Sequence, residues 1–321
     1  MKKCRLLFLP ALMLLVVSCD PARSIKGAVS DMDTMFADAA KVKMFAGSVL
    51  IARDGVVYLS KGYGQADLEK NLPCTPQTKY RLASITKQFT AMAILLLEAR
   101  GALRVQGAIG NYVSPCPAAW KGITIRHLLT HTSGIPDPAN PPSTVDKAIA
   151  LLRGRSLDFA PGSKWQYSNS RYILLGAIIE KVSGVPYEEF VRTQICIPLG
   201  MSSTGYDHGG QDLAVNYESS GAKADISAVP SFFSAGALFS TVEDLYRWDQ
   251  ALSTDVLLPR PSIDTMFTPH ASVFDEGKNH LSYGYGWVLA STSGRMSQFH
   301  IGESRGISTS SHAFQRTSWQ S

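Results

Sequence analysis

Cysteine is scarce in this sequence: there are five in 321 residues, none in a C-x-x-C spacing and none beside a histidine. That pattern argues against zinc-ligand sets and against a scaffold built on disulfides. The three in the body of the chain, Cys74, Cys116 and Cys196, permit one disulfide at most and read as buried or incidental thiols. Charge is sparse too, at 18% of residues. The formal net charge of +5 falls to +2 once Lys2, Lys3 and Arg5 at the extreme N-terminus are set aside. With no Lys/Arg stripe elsewhere, nucleic acid is not an expected partner. No apolar run has the length of a comfortable membrane span, and there is no internal repeat or low-complexity tract. What is present is a 45% hydrophobic composition, enough for one large or two-lobed globular domain.

The first residues combine a basic start with a short apolar stretch, Leu6–Val17, that ends in Ser18-Cys19. This reads as a bacterial lipoprotein signal over residues 1–18, with Cys19 as the lipid attachment site and new N-terminus; an ordinary secretory signal or uncleaved anchor is the plainer alternative. The expected location is the bacterial cell envelope, periplasm-facing or extracytoplasmic, with the membrane as a partner through the lipid. Residues 19–43 would form a tether and a helix from Asp31 to Lys43.

Two β-branched runs, Gly47–Arg53 and Val56–Gly62, flank Asp54-Gly55 and predict a hairpin. The stretch from Ile85 to Leu97 is almost continuously apolar, which predicts a helix buried on most sides and closed near Gly101. Ser84 stands at its N-cap or first turn, and Lys87 follows at i+3 on the same face. From about 102 to 200 the pattern is helical and punctuated by proline. Short helices are predicted within 123–131, at Tyr172–Val182 before Gly184, and after Pro186. Residues 203–234 read as a long surface excursion, and Ser240–Glu243 as a capping box. Tyr283–Ala290 and Ser297–Gly302 read as strands. The order of strands, helical block and strands predicts an α/β lobe formed by both chain ends with an all-α lobe, about 84–235, inserted between them.

Three short motifs carry chemistry: Ser84-x-x-Lys87, Tyr167-Ser-Asn169 in a loop just ahead of a helix, and His300-Ile-Gly302 on a late strand. A lysine at the start of a buried helix loses hydration, which lowers its pKa until it can take a proton from a neighbouring hydroxyl. Ser-x-x-Lys recurs at Ser220–Lys223 and His-x-Gly at His208–Gly210, but only the first copies sit at a buried helix and on a closing strand. Plainer readings exist for each: an N-cap serine, a snorkelling lysine, a loop tyrosine packed on Trp165, a strand histidine. His127 and His131, beside Thr132-Ser-Gly134, read as fold residues.

With their flanks, Tyr80–Ala91, Ile125–Ile135, Glu180–Gly184, Pro198–Tyr206 and Leu238–Leu245, these motifs resemble the serine β-lactamase and penicillin-binding family, in its branch of class C β-lactamases, DD-peptidases and esterases. The resemblance runs from about Phe45 to about Gly306. It implies a β-lactamase/transpeptidase-like fold, an antiparallel sheet flanked by helices with the helical lobe inserted, over a domain of 44–321. It also implies that Ser84 forms an acyl-enzyme, that Lys87 and Tyr167 share the serine proton, and that Asn169 hydrogen-bonds Lys87 or substrate. The backbone N–H groups of Ser84 and of Glu303, next after Gly302, would form the oxyanion hole. No metal or cofactor is implied. The substrate would be a cell-wall peptide with D-amino residues, a β-lactam or an ester, and a phenol with a pKa near 10 would need Lys87 as a nearby cation to act as a base.

Two departures stand out. Many relatives carry lysine where His300 stands, and a mostly neutral histidine holds a substrate carboxylate less firmly. After Gly306 the sequence Ile307–Ser321 shows no apolar alternation and no amphipathic helix. It reads as a truncation that removes the C-terminal strands and helix and leaves the His300 strand as an exposed edge. A non-catalytic relative that only binds cell-wall peptides is the alternative expectation.

Overall fold

The computed structural model describes residues 24–138, 145–209, 212–276, 279–292, 295–304 and 306–314. The expected signal segment and Cys19 lie outside the described residues. Helix α1, Ile25–Lys41, starts six residues earlier than the apolar pattern suggested, because Ser24 caps it by accepting from the Gly27 N–H at 3.2 Å. It packs on the hairpin β1 (Gly47–Arg53) and β2 (Val56–Tyr63), which turns at Asp54-Gly55 as expected. Asp33 of α1 accepts from Lys61 Nζ and from the Tyr63 hydroxyl, both at 2.7 Å.

Short strands β3 (Gln65–Asp67), β4 (Leu72–Pro73) and β5 (Tyr80–Arg81) lead to a 3₁₀ turn, Ala83–Ile85, and then to α2, Thr86–Ala99. Every residue of α2 from Thr86 to Leu97 is buried. That follows from its nearly unbroken apolar sequence, and its polar members bond inward: Thr90 Oγ1 donates to the Ser234 carbonyl at 2.7 Å, and Gln88 Oε1 accepts from Trp248 Nε1 at 3.0 Å. The helical block follows: α3 (Ile125–Leu129), α4 (Val145–Arg153), α5 (Asn169–Ser183) and α6 (Tyr187–Val191). Phe89 stacks on Trp248 with ring centres 4.4 Å apart, inside one hydrophobic core that joins α2, α3 and α5 to Trp287 of the sheet side.

Four expectations are corrected from here on. Residues 203–234 are not simply a surface excursion. Strand β6 (Gly205–Tyr206) pairs with β7 (Leu238–Ser240), which pairs in turn with β5. Asp207 is buried against Arg81 at 2.6 Å. A hydrogen-bonded ion pair carries part of this polar stretch inside, where composition alone reads as surface. The cap of α7 (Val242–Ala251) is Thr241, whose hydroxyl accepts from the Asp244 N–H at 3.1 Å. Ser240, taken as the cap, lies instead on β7.

After α8 (Arg260–Asp264) come β8 (Ala271–Glu276), β9 (Asn279–Tyr283), β10 (Val288–Thr292), β11 (Arg295–Ser304) and β12 (Ile307–Phe314), one antiparallel sheet in the order β12-β11-β10-β9-β8. The predicted strand Tyr283–Ala290 is two strands joined at Gly284–Trp287, a turn that needs φ +77° at Gly286. The tail gives the fourth correction. Ile307–Phe314 pairs with β11 residue by residue, from Ser304↔Ile307 to Ser297↔Phe314, so the strand carrying His300 is an inner strand. The ladder is made by backbone, and an edge strand needs no apolar alternation, which is why periodicity did not show it. Among the described residues the β1–β2 hairpin and this sheet form separate ladders.

Candidate active site

Just before α2 the chain turns sharply: Ala83 has φ +45°, a left-handed conformation unusual for a residue with a Cβ. Ser84 follows in the 3₁₀ turn. Of the two places expected for it, N-cap or first turn, it takes neither in α2, which begins after Ile85 with no side-chain cap, so the hydroxyl is left for other partners. Those partners are Lys87 Nζ, which reaches Ser84 Oγ at 2.9 Å, and the Tyr167 hydroxyl, which donates to it at 2.7 Å.

Lys87, in the first turn of α2, is 0% exposed. Its Nζ also donates to Asn169 Oδ1 at 2.9 Å and to the Ala235 carbonyl at 2.7 Å. Burial pulls its pKa down from 10.5 to about 7, with the negative charge of Asp137 opposing the shift. Loss of hydration also acts on Tyr167 and pushes its phenol above the ordinary value, with Asp137 and Glu303 adding to the effect and the Ser84 hydrogen bond opposing it. The expectation that Lys87 would lower the phenol's pKa is therefore reversed. Lys87 Nζ lies 4.9 Å from the centre of the Tyr167 ring. The lysine itself is poised to be neutral, and Tyr167 stays protonated.

Asn169 opens α5, and the residue that caps this helix comes from elsewhere. Asp137 accepts from the Asn169 N–H at 2.9 Å, and from the N–H and Oγ of Ser170 at 3.0 and 2.7 Å. A carboxylate on free helix N–H groups is favoured by hydrogen bonding and by the dipole together. Sequence reasoning missed Asp137, because nothing in Ile135-Pro-Asp-Pro138 marks a partner more than thirty residues away. Arg171 is also buried; it donates to the carbonyls of His131 at 2.6 Å, of Ile135 at 3.0 Å and of Gln166.

On β11, His300 is 4% exposed and both ring nitrogens are taken. Nδ1 lies 2.8 Å from the Ile301 carbonyl, which can only accept, so the proton is on Nδ1. Nε2 then accepts from the Tyr283 hydroxyl at 3.0 Å. Burial, and after it the charge of Lys87, pull the His300 pKa down to about 3. The imidazole is neutral, with its ring centre 6.2 Å from that of Tyr167, and it ties β11 to β9 through Tyr283. Gly302 faces the turn before Ser84: a Cβ there would lie 2.0 Å from the Leu82 carbonyl oxygen, which also accepts from Thr309 Oγ1 at 3.1 Å. Only glycine lets β11 come this close to the Leu82–Ser84 turn, with Glu303 next along the strand and exposed.

Ser84, Lys87, Tyr167 and Asn169 thus converge through direct hydrogen bonds, with the Gly302 backbone against the same turn. The duplicate motifs do not join them: His208 instead makes an ion-pair contact with Glu188 at 2.6 Å, and Lys223 with Glu69 at 2.7 Å. Cys74, Cys116 and Cys196 are free thiols.

Fold and site together define a protein of the serine–lysine–tyrosine class, with its serine on the turn before a buried helix. A family model described as Beta-lactamase matches residues 32–314, and the chain belongs to the beta-lactamase family. It is similar to penicillin-binding protein 4* of Bacillus subtilis (strain 168), with 30% identity over 287 residues, covering 80% of this chain and 62% of that protein. The chain therefore spans less than two thirds of that relative's length. Among solved structures it is similar to the octameric penicillin-binding protein homologue from Pyrococcus abyssi, at TM-score 0.77 and 28% identity over 91% of this chain and 71% of that one. It is also similar to a D-stereospecific amidohydrolase from Streptomyces sp., at TM-score 0.65 and 27% identity over 74% of this chain and 78% of that one. The fold is the β-lactamase/transpeptidase-like one.

Proposed function

We propose that this protein is a serine hydrolase acting through an acyl-enzyme on Ser84, with a D-amino peptide or amide, a β-lactam or an ester as acyl donor. The observation that carries this reading is the set of contacts at Lys87 Nζ. The Ala235 carbonyl and Asn169 Oδ1 can only accept, so they use two N–H groups. In the neutral amine, favoured by burial, the remaining lone pair faces Ser84 Oγ.

In acylation the Ser84 proton passes to Lys87 as the Oγ–carbonyl carbon bond forms. The negative charge on the carbonyl oxygen is met by the N–H groups of Ser84 and Glu303. As the tetrahedral intermediate collapses, the Tyr167 phenol protonates the departing nitrogen or oxygen and is reprotonated by the Lys87 ammonium. Water then releases the acyl group by the reverse sequence. The similarity to a penicillin-binding protein and to a D-stereospecific amidohydrolase supports the substrate classes named. The basic start, the apolar stretch Leu6–Val17 and Ser18-Cys19 support the further proposal of a bacterial-envelope location, lipid-anchored at Cys19 and facing away from the cytoplasm.

The test is intact mass after exposure to a fluorophosphonate, for the chain starting after Cys19 and for its Ser84→Ala variant. One adduct, lost in the variant, is expected. Folded protein that takes no adduct would overturn the hydrolase reading in favour of a non-catalytic binder of cell-wall peptides. Penicillins, D-Ala-D-Ala peptides and short-chain esters then resolve the acyl donor.

A further inference from the structure

His131 lies off the three motifs, yet it touches Tyr167 and Ser168 of the second one and Gln166 just before it. It is fully buried and has φ +58°, a left-handed conformation unusual for a residue with a Cβ. Its carbonyl accepts from the Gln166 N–H at 3.1 Å, and its Nδ1 accepts from the Ser168 N–H at 3.2 Å. The residues immediately before and after Tyr167 are thus held by one residue, whose carbonyl is in turn gripped by Arg171. The imidazole also packs on the Tyr167 ring, with centres 4.5 Å apart, and meets Tyr283 edge-on at 4.8 Å. Tyr283 in turn donates to His300 on β11.

The protonation state follows from these contacts. An Nδ1 that accepts from a backbone N–H carries no proton, so in the neutral ring the proton is on Nε2. Nε2 is buried without a hydrogen-bond partner among the described residues and is surrounded by the rings of Trp165, Tyr167, Tyr172 and Tyr283. For packing alone, an apolar side chain would suit this aromatic box better, since a buried unpaired N–H is costly. What histidine adds is the acceptor at Nδ1. The cationic or titratable groups facing it, Arg171, Lys87 and His300, oppose its protonation, as burial does.

We infer that His131 is a positioning residue that clamps Gln166 and Ser168 on either side of Tyr167 and so holds the phenol on Ser84 and Asn169 on Lys87. The inference rests on the proposed hydrolase reading for its kinetic consequence, but the clamp itself is open to direct observation.

Three measurements test it. The rate of fluorophosphonate labelling is compared for wild type, His131→Phe and His131→Asn, with thermal melting as a check on folding. Phenylalanine keeps a ring and loses the acceptor. Asparagine keeps an acceptor near the Nδ1 position and tolerates a left-handed backbone. Labelling is expected to slow by about 100-fold in His131→Phe, as for a catalytic group displaced by about 1 Å, and to return to within about five-fold of wild type in His131→Asn. The pH profile separates positioning from mere stability. With the loop loosened, water reaches Lys87 and the acid limb of labelling in His131→Phe moves to higher pH. Wild-type rate and profile in His131→Phe, or equal loss in both variants, would overturn the clamp. If His131→Phe does not fold, a loss of about 100-fold in His131→Asn is itself the overturning result. The third measurement needs no activity: ¹⁵N NMR of histidine-labelled wild type should show His131 as a non-titrating Nε2–H tautomer between about pH 5 and 9. An Nδ1–H tautomer or an imidazolium would overturn the clamp. Wild type that shows the tautomer but takes no label would instead overturn the hydrolase reading alone.

Discussion

The helical face of the site holds its groups as side chains, whereas the β11 face supplies backbone. On α2, at the start of α5 and in the loop just before it, Lys87, Asn169 and Tyr167 reach Ser84 or each other directly, and burial sets the protonation of Lys87 and Tyr167. On β11, the one ionisable side chain of the motif is neutral and turned to Tyr283, while Gly302 presses main chain against main chain at Leu82. A side-chain site can be tuned by solvent and charge. A backbone site can be tuned only by distance, and that is why the first face depends on buried polar partners and the second on a missing Cβ.

The largest expected effect breaks the side-chain face. Lys87→Met removes the amine with little change in bulk, and should slow Ser84 acylation by at least 10²–10⁴-fold, the usual range for losing a general base. Stopped-flow labelling of the folded variant checks this, and a loss under about ten-fold would move the role of base to Tyr167. Next comes the backbone face. Gly302→Ala places a Cβ at 2.0 Å from the Leu82 oxygen, so β11 must retreat. The expected cost is about 1–3 kcal/mol of stability, read by denaturant unfolding, together with slower acylation although no side chain of the helical face is altered. Unchanged labelling in Gly302→Ala would mean that the approach of β11 is not needed for the chemistry.

The smallest effect sharpens the comparison through pH. The Lys87 pKa falls from 10.5 to about 7 on folding, so between those values the unfolded chain binds more protons than the folded one. Stability therefore rises with pH through that window, is lowest below about 7 on this account, and is unaffected by this residue above 10.5. Melting of wild type should gain on melting of Lys87→Met as pH rises from about 7 to 10. Parallel curves would show that the buried amine keeps its ordinary pKa. His300, neutral in the folded protein with a pKa of about 3, contributes in the lower range instead, where the unfolded chain alone is protonated between about 3 and 6.5.

Much of this architecture is legible in the chain. Asp54-Gly55 announces its hairpin, Gly184 ends α5, and the apolar run after Ser84 can only be a buried helix. In each case the signal lies within a few residues of its effect. The i, i+3 spacing of Ser84 and Lys87 likewise follows from helix geometry. Asp137 was not legible, because its partners at the start of α5 come from a distant part of the chain. Nor was β12, whose serine-rich sequence is tied to β11 by the backbone ladder and to the Leu82 carbonyl by Thr309.

The sequence by itself determined which residues carry reactive groups, that a hairpin turns at Asp54-Gly55 and α5 stops at Gly184, and that one lysine would be carried into a core. These rest on local backbone preferences and on hydrophobic periodicity. The tertiary structure alone decided their states: a lysine drawn toward neutrality, a phenol kept protonated, a histidine held neutral between Ile301 and Tyr283, and a serine hydroxyl given to Lys87 and Tyr167. Those states depend on desolvation and on partners from remote segments, and neither exists until the chain has packed.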